Sequence, residues 1–364
     1  MKCTVVLDAL IFICSFCGVS GCCAYSPKSK FKEPVYLETH VYADYGYLKF
    51  YNKNDTKAKE YVVEFWNSVE LRFSNLLTPL RLPLVDITFL SEDDDKKIFG
   101  NGNHPANTSS SMMSFKESMK DKQGPDLVYV LTSRSLYTGS PERKIKAAGG
   151  AYVDGGVCTE YNIAMGIDIP GNFTGCLWAV RHLAKVIGAR DDGKNGSRCP
   201  PSGGFLMANT DAGGQFQYFS LCSNEDIENH LLRINSSLSP PSSSCLERNQ
   251  SLRDIRRGFM NLKVAAQSLS LRSRCQAYFG NDKWSCRERT STCRTTCCTQ
   301  GAWYHFTWPA IGYLPTADGQ TCWNGYARCF FGMCLYEADY NILMKEREEK
   351  LEEMLNQEQQ KNNQ

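Results

Sequence analysis

The sequence lacks an excess of charge of either sign, because 41 lysine and arginine residues stand against 39 aspartate and glutamate residues in a chain of 364. A balance this close to neutrality gives no electrostatic reason for DNA, RNA or an anionic membrane to be the main partner. After the first 24 residues, the sequence also lacks an apolar run long enough to cross a bilayer. We therefore expect neither nucleic-acid binding nor a membrane span.

The first 24 residues have the layout of a secretory signal peptide. Met1-Lys2 precede an apolar stretch from Ala9 to Val19, and small residues follow from Ser20 to Ala24. The apolar stretch is too short to span a membrane. An amphipathic or buried N-terminal helix is the alternative. We expect a secreted, extracellular protein.

Cysteine is abundant, and its use agrees with export. Of 18 cysteines, five lie in or beside the leader, and a cut after Cys23 or Ala24 leaves 13. That density is typical of oxidising compartments, where disulfides persist. Six N-x-S/T sequons predict glycosylation at Asn54, Asn107, Asn172, Asn195, Asn235 and Asn249.

Composition divides the remainder of the chain into four segments. Residues 34–235 mix predicted strands and helices, which indicates an α/β domain. Residues 236–244 (SSLSPPSSS) have the composition of a linker. Residues 245–340 hold nine cysteines and few apolar runs, which predicts a small module stabilised by disulfides. Residues 341–364 are charged and rich in glutamine and asparagine, which predicts a frayed helix followed by disorder.

Hydrophobic periodicity predicts the elements of the α/β domain. Four runs are predicted to be strands, the second and third of them buried on both faces of a sheet: Val35–Val41, Val85–Leu90, Leu127–Leu131 and Ala151–Val157. One helix is predicted to be capped by Thr56, with an apolar stripe formed by Tyr61, Phe65, Val69, Phe73 and Leu76. A second helix is predicted to end at Gly188, with apolar positions Leu177, Val180, Ala184 and Ile187.

The segment from Ala179 to Met207 reads AVRHLAKVIGARDDGKNGSRCPPSGGFLM. It resembles the reprolysin (adamalysin, ADAM-like) metalloproteases, most closely the secreted tick salivary type. Their motif is H-E-x-x-H-x-x-G-x-x-H-D followed by a methionine turn, and Gly188, Asp192-Gly193 and Met207 match parts of it. The resemblance runs from Val35 to Leu232. It implies a metzincin-like mixed sheet with an active-site helix, followed by a cysteine-rich domain.

The positions that bind zinc in that family hold other residues here. The resemblance assigns Arg181 to the first histidine, His182 to the glutamate, Lys185 to the second histidine and Asp191 to the third. Zinc needs lone pairs from imidazole, thiolate or carboxylate groups, and arginine stays protonated. The chain has five histidines, and only His182 lies on this helix and loop, so a three-histidine site cannot form there. We expect no catalytic residue, no metal site and no cofactor, although the family uses zinc.

Two cations on one helical face lie close in sequence to two acids that follow Gly188. We predict that Arg181 or Lys185 pairs with Asp191 or Asp192, in place of a metal ion. The alternative is that both basic side chains point to solvent. His182 and Asp191 are the remaining metal candidates, and with Asp192 they would form the site of a rebuilt enzyme.

The resemblance places four cysteines among the disulfides of the protease domain and its exit: Cys158, Cys199, Cys222 and Cys245. The other candidates belong to the second module: Cys275, Cys286, Cys293, Cys297, Cys298, Cys322, Cys329 and Cys334. Because 13 is odd, one thiol is unpaired or intermolecular, and Cys176 is the candidate. The alternative for Cys176 is a buried apolar thiol. In an exported chain, disulfides are favoured over a zinc finger in the second module.

The second module is similar to the cysteine-rich modules of ADAM and ADAMTS proteins, which implies a surface for protein partners. Its aromatic residues either anchor partners or cover disulfides: Trp303, Tyr304, Phe306, Trp308, Phe330 and Phe331. A basic cluster is either a solvated helix face or a glycosaminoglycan site: Arg253, Arg256, Arg257, Lys263, Arg272 and Arg274.

Three functions follow from these observations. The favoured interpretation is a secreted, catalytically inactive protease relative that binds extracellular proteins. The second is an active zinc metalloendopeptidase with a rebuilt, atypical metal site. The third is a secreted scaffold or storage protein without a specific partner.

Overall fold

The computed structural model describes residues 29–101, 104–120, 125–194, 198–208, 217–236, 245–246, 275–276, 283–289, 293–299, 310–315, 318–322, 326–330, 333–346 and 349. Several expectations fall on residues outside these ranges. They concern the leader, Asn195, Asn249, the basic cluster from Arg253 to Arg274, the side chain of Cys286, most of the tail, and the aromatic residues singled out in the second module other than Phe330. Among the described residues, no helix is long and apolar enough to cross a membrane.

The first domain alternates strands with helices. Its strands are β1 (Val35–Tyr36), β2 (Thr39–Ala43), β3 (Leu80–Arg81), β4 (Leu84–Phe89), β5 (Ala106–Asn107), β6 (Leu127–Thr132), β7 (Leu136–Thr138), β8 (Ile145–Ala147), β9 (Gly149–Ala151) and β10 (Ile163–Ile167). Its helices are α1 (Tyr45–Phe50), α2 (Asp55–Phe73), α3 (Glu92–Phe99), α4 (Thr108–Ser118), α5 (Cys176–Val186) and α6 (Leu221–Ser236).

Five strands form the main sheet in the order β4-β2-β6-β10-β9. The first four run parallel, and β9 pairs antiparallel with β10 at one edge. One hydrophobic cluster, to which α2 and α5 contribute, includes Phe65, Leu131 and Leu183. A second, to which α3 and α4 contribute, includes Phe115 and Val130. This mixed sheet with helices confirms the predicted fold class.

The strand predictions need three corrections. Strand β6 is buried at every position, but β4 lies at a sheet edge and exposes Asp86, so its predicted burial on both faces is wrong. The single strand predicted from Val35 is interrupted, and gives β1 and β2. The strand predicted from Ala151 to Val157 ends at Ala151, because the chain turns at Gly155, whose φ is +76°.

The C-terminal module consists of short antiparallel strands: β11 (Lys283–Arg289), β12 (Arg294–Thr299), β13 (Ala310–Pro315), β14 (Thr321–Cys322), β15 (Ala327–Phe330) and β16 (Met333–Tyr336). They form two three-stranded sheets, β11-β12-β13 and β14-β15-β16. Residues 337–346 are helical. Among the described residues these strands offer little core, a setting in which disulfides commonly stabilise a fold.

Five disulfides join cysteines that the sequence put forward: Cys158–Cys245, Cys199–Cys222, Cys275–Cys297, Cys293–Cys329 and Cys322–Cys334. Cys298 is also disulfide-bonded. The first of these bonds holds Cys245, which is 6% exposed, in the core of the first domain. Cys245 is thereby tied to the first domain, as the resemblance implied.

A buried contact joins the C-terminal module to α2. Arg72, near the end of α2, forms an ion pair with Asp318, and both side chains are almost fully buried. Beside this pair, Leu71 packs with Phe330 and Tyr340 in one apolar cluster. The two modules thus share a small core with an ion pair at its side.

Two of the predicted glycosylation sites also cap helices. Asn54 Oδ1 accepts a hydrogen bond from the Lys57 backbone N–H at 3.0 Å and so starts α2, a role that the sequence assigned to Thr56. Asn107 caps α4 in the same way. Asn235 is exposed, but Asn172 is only 7% exposed, and this burial argues against a glycan there.

The cap and the sequon at Asn54 can be separated by mutation. Asn54→Ala removes both, and we expect the free energy of unfolding to fall by about 1 kcal/mol relative to Thr56→Val, which removes only the sequon. Urea titration of the two variants measures the difference. Equal stability of the two variants would contradict the assignment of the cap to Asn54.

Candidate functional site

Helix α5 carries the residues that the sequence singled out. Its N-terminus is fixed by the buried carboxylate of Asp168, which accepts from the Gly175 backbone N–H at 2.8 Å and from the Tyr61 hydroxyl at 2.5 Å. Burial raises the pKa of Asp168 to about 6, against the lowering effect of the hydrogen bond from Tyr61. The buried face of α5 packs into the main core through Ala179, Val180, Leu183, Ala184 and Val186.

Helix α5 ends at Val186, next to the Gly188 end that the sequence predicted, and the chain then reverses direction. Gly188 has φ of +108°, and a Cβ there would lie 2.6 Å from the Cβ of His230 on α6. The Ala189 N–H donates to the Ala184 carbonyl at 2.8 Å, which closes the end of the helix in a Schellman-type turn. This turn brings residues 190–194 back beside the helix.

The centre of the site is the carboxylate of Asp191, whose side chain is 3% exposed. Its Oδ1 accepts from Arg181 Nη2 at 2.9 Å, and its Oδ2 accepts from Lys185 Nζ at 3.0 Å and from Lys194 Nζ at 2.6 Å. The sequence predicted that Arg181 or Lys185 would pair with an acid after the helix. Both pair with Asp191, and Lys194 is a third partner that the prediction missed.

Arg181 also ties the helix to the methionine turn. Its Nη1 donates to the Ala208 carbonyl at 2.7 Å, and its Nη2 lies 3.4 Å from the Met207 carbonyl. Met207 is fully buried, and its carbonyl also accepts from the Asp192 N–H at 3.0 Å. One guanidinium group therefore connects α5, the loop after it and the buried methionine turn.

The charges around Asp191 change its acidity. Burial alone would raise the pKa of Asp191, but the hydrogen bonds from Lys194 and Lys185, the charge of Lys185 and the bond from Arg181 outweigh burial and lower the pKa to about 2. Asp191 is therefore ionised at every pH at which the protein would normally be handled. A permanent anion faces three cations.

Asp192 has a different role from its neighbour. Its Oδ1 accepts from the Ser220 hydroxyl at 2.7 Å, and Ser220 Oγ in turn accepts from the Ser223 N–H at the start of α6. Asp192 Oδ2 is buried without a hydrogen-bond partner in the described part of the chain. Burial raises the pKa of Asp192. Asp192 thus links the loop to α6, and the nearby charge of Arg181 partly offsets the rise in its pKa.

His182 faces the sheet rather than the Asp191 carboxylate. It is 6% exposed, and Cβ atoms at Gly149 and Gly166 would lie 2.7 Å from its Cε1 and 3.4 Å from its Nδ1. Burial, followed by the charges of Lys185 and Arg181, lowers the pKa of His182 to about 3. A neutral imidazole enclosed under β9 and β10 is not placed to act as a solvent-exposed general base.

Cys176, at the start of α5, is in no disulfide between described residues. It is partly buried, and its Sγ lies 3.9 Å from the Phe65 carbonyl on α2. Both alternatives for this thiol therefore stay open.

The described residues contain one group of three potential metal ligands, Cys293, Cys322 and Cys329, and all three are in disulfides. His182, Asp191 and Asp192 do not form such a group. The rebuilt metal site considered from the sequence is therefore not assembled from these three side chains.

Comparison with known proteins identifies the relatives of the chain. A family model described as "Reprolysin (M12B) family zinc metalloprotease" matches residues 35–247. A Bombyx mori protein named "A disintegrin and metalloproteinase with thrombospondin motifs like" is 23% identical over 335 residues, which cover 85% of this chain and 45% of that protein. The chain thus spans less than half the length of this curated relative.

Two solved structures show a weaker likeness. Archaemetzincin from Methanopyrus kandleri is 14% identical, with 54% of this chain and 97% of that chain covered, at a TM-score of 0.35. A chaperone–substrate complex is 11% identical, with 44% and 24% covered, at a TM-score of 0.32. At TM-scores this low, neither carries an argument about this chain.

The family match corrects one expectation. The sequence led us to expect no cofactor, but the matching family consists of zinc metalloproteases, so zinc is the cofactor that the match implies. The side chains that the resemblance aligns with the zinc-binding histidines do not fit a three-histidine zinc centre. Arg181 has no lone pair to offer and Lys185 is hydrogen-bonded to Asp191 as a donor, so neither group acts as a ligand in this arrangement.

The contacts of Asp191 make stability depend on pH in a defined way. Since the folded-state pKa of about 2 lies below the ordinary 3.8, this carboxylate stabilises the fold above about pH 4, and the contribution is lost as pH falls toward 2. The shift corresponds to about 2 kcal/mol. We expect Asp191→Asn to lower the free energy of unfolding by about that much at pH 7. The variant should also lack this part of the decrease in stability between about pH 4 and pH 2.

The matched control is Asp226→Asn, because Asp226 pairs with Arg190, whose side chain is 59% exposed. We expect it to cost less than about 1 kcal/mol. Urea unfolding of both variants between pH 2 and pH 7 measures the two effects. An Asp191→Asn protein whose stability parallels the wild type across this range would contradict the assignment.

Proposed function

Because the chain belongs to the reprolysin (M12B) family of zinc metalloproteases, we propose that it is a catalytically inactive member that acts by binding extracellular proteins. The observation that carries the proposal is the pairing of Arg181 and Lys185 with Asp191. On the resemblance, these three positions are those of the family's zinc-binding histidines. The degenerate motif and a kinship with the secreted tick salivary type are parts of the same proposal.

The chemical reason is the loss of an activated nucleophile. Zinc proteases lower the pKa of a bound water and polarise the peptide carbonyl, and both effects need donors that hold the ion in an open coordination position. Cationic side chains bonded to a carboxylate repel a dication and offer no such position. His182 cannot substitute, since general-base help alone contributes only about 10²–10⁴-fold and this imidazole is buried.

Binding is supported by an exposed surface beside the ion-pair cluster that Asp191 forms with Arg181, Lys185 and Lys194. Trp178 lies one helical turn before Arg181 and is 42% exposed, and its ring centroid is 5.9 Å from the guanidinium carbon. Tryptophan and arginine are the residue types most enriched among the dominant contacts of protein interfaces. This part of α5 is our candidate for the partner-binding surface.

The disulfides and the relatives of the chain support an extracellular location. Disulfides of this density persist in oxidising compartments, and the family resemblance to ADAM and ADAMTS proteins suggests an extracellular protein. Secretion through the N-terminal leader and glycosylation of the exposed sequons Asn54 and Asn235 belong to the proposal. Glycosaminoglycan binding by the basic cluster is a further expectation.

The decisive experiment measures proteolysis by the secreted, purified full chain. We expect no chelator-sensitive cleavage of reduced and alkylated serum albumin, with or without added zinc. A variant that restores the motif (Arg181→His, His182→Glu, Lys185→His and Asp191→His) serves as the control for whether the scaffold supports catalysis. Cleavage by the wild-type chain that a chelator abolishes would contradict the proposal.

Partner binding has its own test. Immobilised wild-type chain should retain proteins from extracellular fluid that Trp178→Ala does not retain. Identical protein patterns from the two columns would remove the α5 surface from the proposal, and the absence of any retained protein would favour the scaffold or storage interpretation.

A further inference from the structure

The Asp191 cluster holds more positive than negative charge. Three cations, Arg181, Lys185 and Lys194, surround one carboxylate. Among the described residues, the neighbouring acid Asp192 is engaged by Ser220, and counting it as ionised still leaves one positive charge in excess. Such an excess at a partly closed surface favours a counter-ion.

The three cations differ in their exposure and in the hydrogen bonds that they already make. Arg181 is 14% exposed and donates to backbone carbonyls as well as to Asp191. The side chains of Lys185 and Lys194 are 22% and 56% exposed, and among the described residues each ammonium group has Asp191 as its one hydrogen-bond acceptor. An ammonium group has three N–H donors, so each of these partly exposed lysines has donors beyond the one bonded to Asp191.

The spacing of the two ammonium groups suits a second carboxylate. Both bond to the same oxygen, Asp191 Oδ2, at 3.0 and 2.6 Å, so their nitrogens lie no farther apart than the sum of these distances. A carboxylate oxygen that approaches from solvent can therefore bridge them as Asp191 does from the protein side. Hydrogen bonds between ionised groups are the strong ones.

We propose that Lys185 and Lys194 form a binding site for a carboxylate of an acidic polypeptide segment. This inference rests on the proposed function, because it names the chemistry that the inactive cleft recognises. Carboxylate is favoured over sulfate or phosphate because the same two ammonium groups already hold a carboxylate oxygen between them. The exposed ring of Trp178 on the same helix offers an apolar contact for the rest of the segment.

Fluorescence anisotropy with a labelled hexaglutamate peptide tests the site on the full chain. We expect saturable binding that weakens as salt rises, since the exposed charges are screened beyond about 8 Å at 0.15 M ionic strength. Lys185→Met and Lys194→Met should each weaken binding about tenfold. The control is Lys116→Met, because Lys116 pairs with Glu160 on another surface and should leave binding unchanged.

Three results would overturn the proposal: no binding by the wild type, equal binding by Lys185→Met, Lys194→Met and wild type, or a sulfated oligosaccharide that displaces the peptide and depends more strongly on the same lysines. If Lys185→Met does not fold, Lys194→Met decides the matter, since its side chain is mostly exposed. The proteolysis assay on the same preparations separates the two proposals. Chelator-sensitive cleavage would contradict the inactive-protease proposal. An inactive chain that does not bind the peptide would contradict only the carboxylate-binding proposal.

Discussion

The arrangement of the site depends on one buried carboxylate. Asp191 takes hydrogen bonds from both cationic side chains of α5, and through Arg181 the same cluster reaches the carbonyl of Ala208 beyond the methionine turn. If that carboxylate were neutral, Arg181 and Lys185 would be two like charges on one helical face that no longer share an anionic hydrogen-bond acceptor. The cluster is therefore conditionally stabilising: together its members satisfy each other, and removal of one leaves the rest uncompensated.

The surrounding fold fixes the two ends of α5. Asp168 holds the N-terminus through the Gly175 N–H, and Gly188 allows the reversal that returns Asp191 to the helix. Asp168 is buried and Gly188 is partly buried. The disulfide from Cys158 to Cys245 and the ion pair of Arg72 with Asp318 attach later parts of the chain to the same body. A family scaffold can thus keep its shape while the side chains at its centre change their chemistry.

Much of this was accessible from the sequence because it depends on local spacing. The helical stripe of α5, its end at Gly188 and the pairing of cations with an acid all follow from residues within a few turns of one another. The choice of Asp191 over Asp192 was not accessible, because it depends on Ser220, nearly thirty positions later in the chain. Lys194 could have been found, since it lies three residues after Asp191.

Other errors have the same origin in long-range structure. The sequence left His182 as a metal candidate, but two glycines of β9 and β10, Gly149 and Gly166, leave room for its ring under the sheet edge. Composition alone drew a boundary at Cys245, while the resemblance put this cysteine among the disulfides of the protease domain and its exit, where its partner Cys158 lies. Thr56 and Asn54 are both good capping residues, and sequence alone does not show which side chain reaches the first free N–H of α2.

The central claim is that Arg181 and Asp191 stabilise the fold jointly, and a double-mutant cycle measures this most directly. Free energies of unfolding in urea are compared for the wild type, Arg181→Met, Asp191→Asn and the double variant at pH 7. We predict a favourable coupling of about 1 kcal/mol or more, because each substitution removes the partner that compensates the other. Additive losses, with a coupling near zero, would contradict the account.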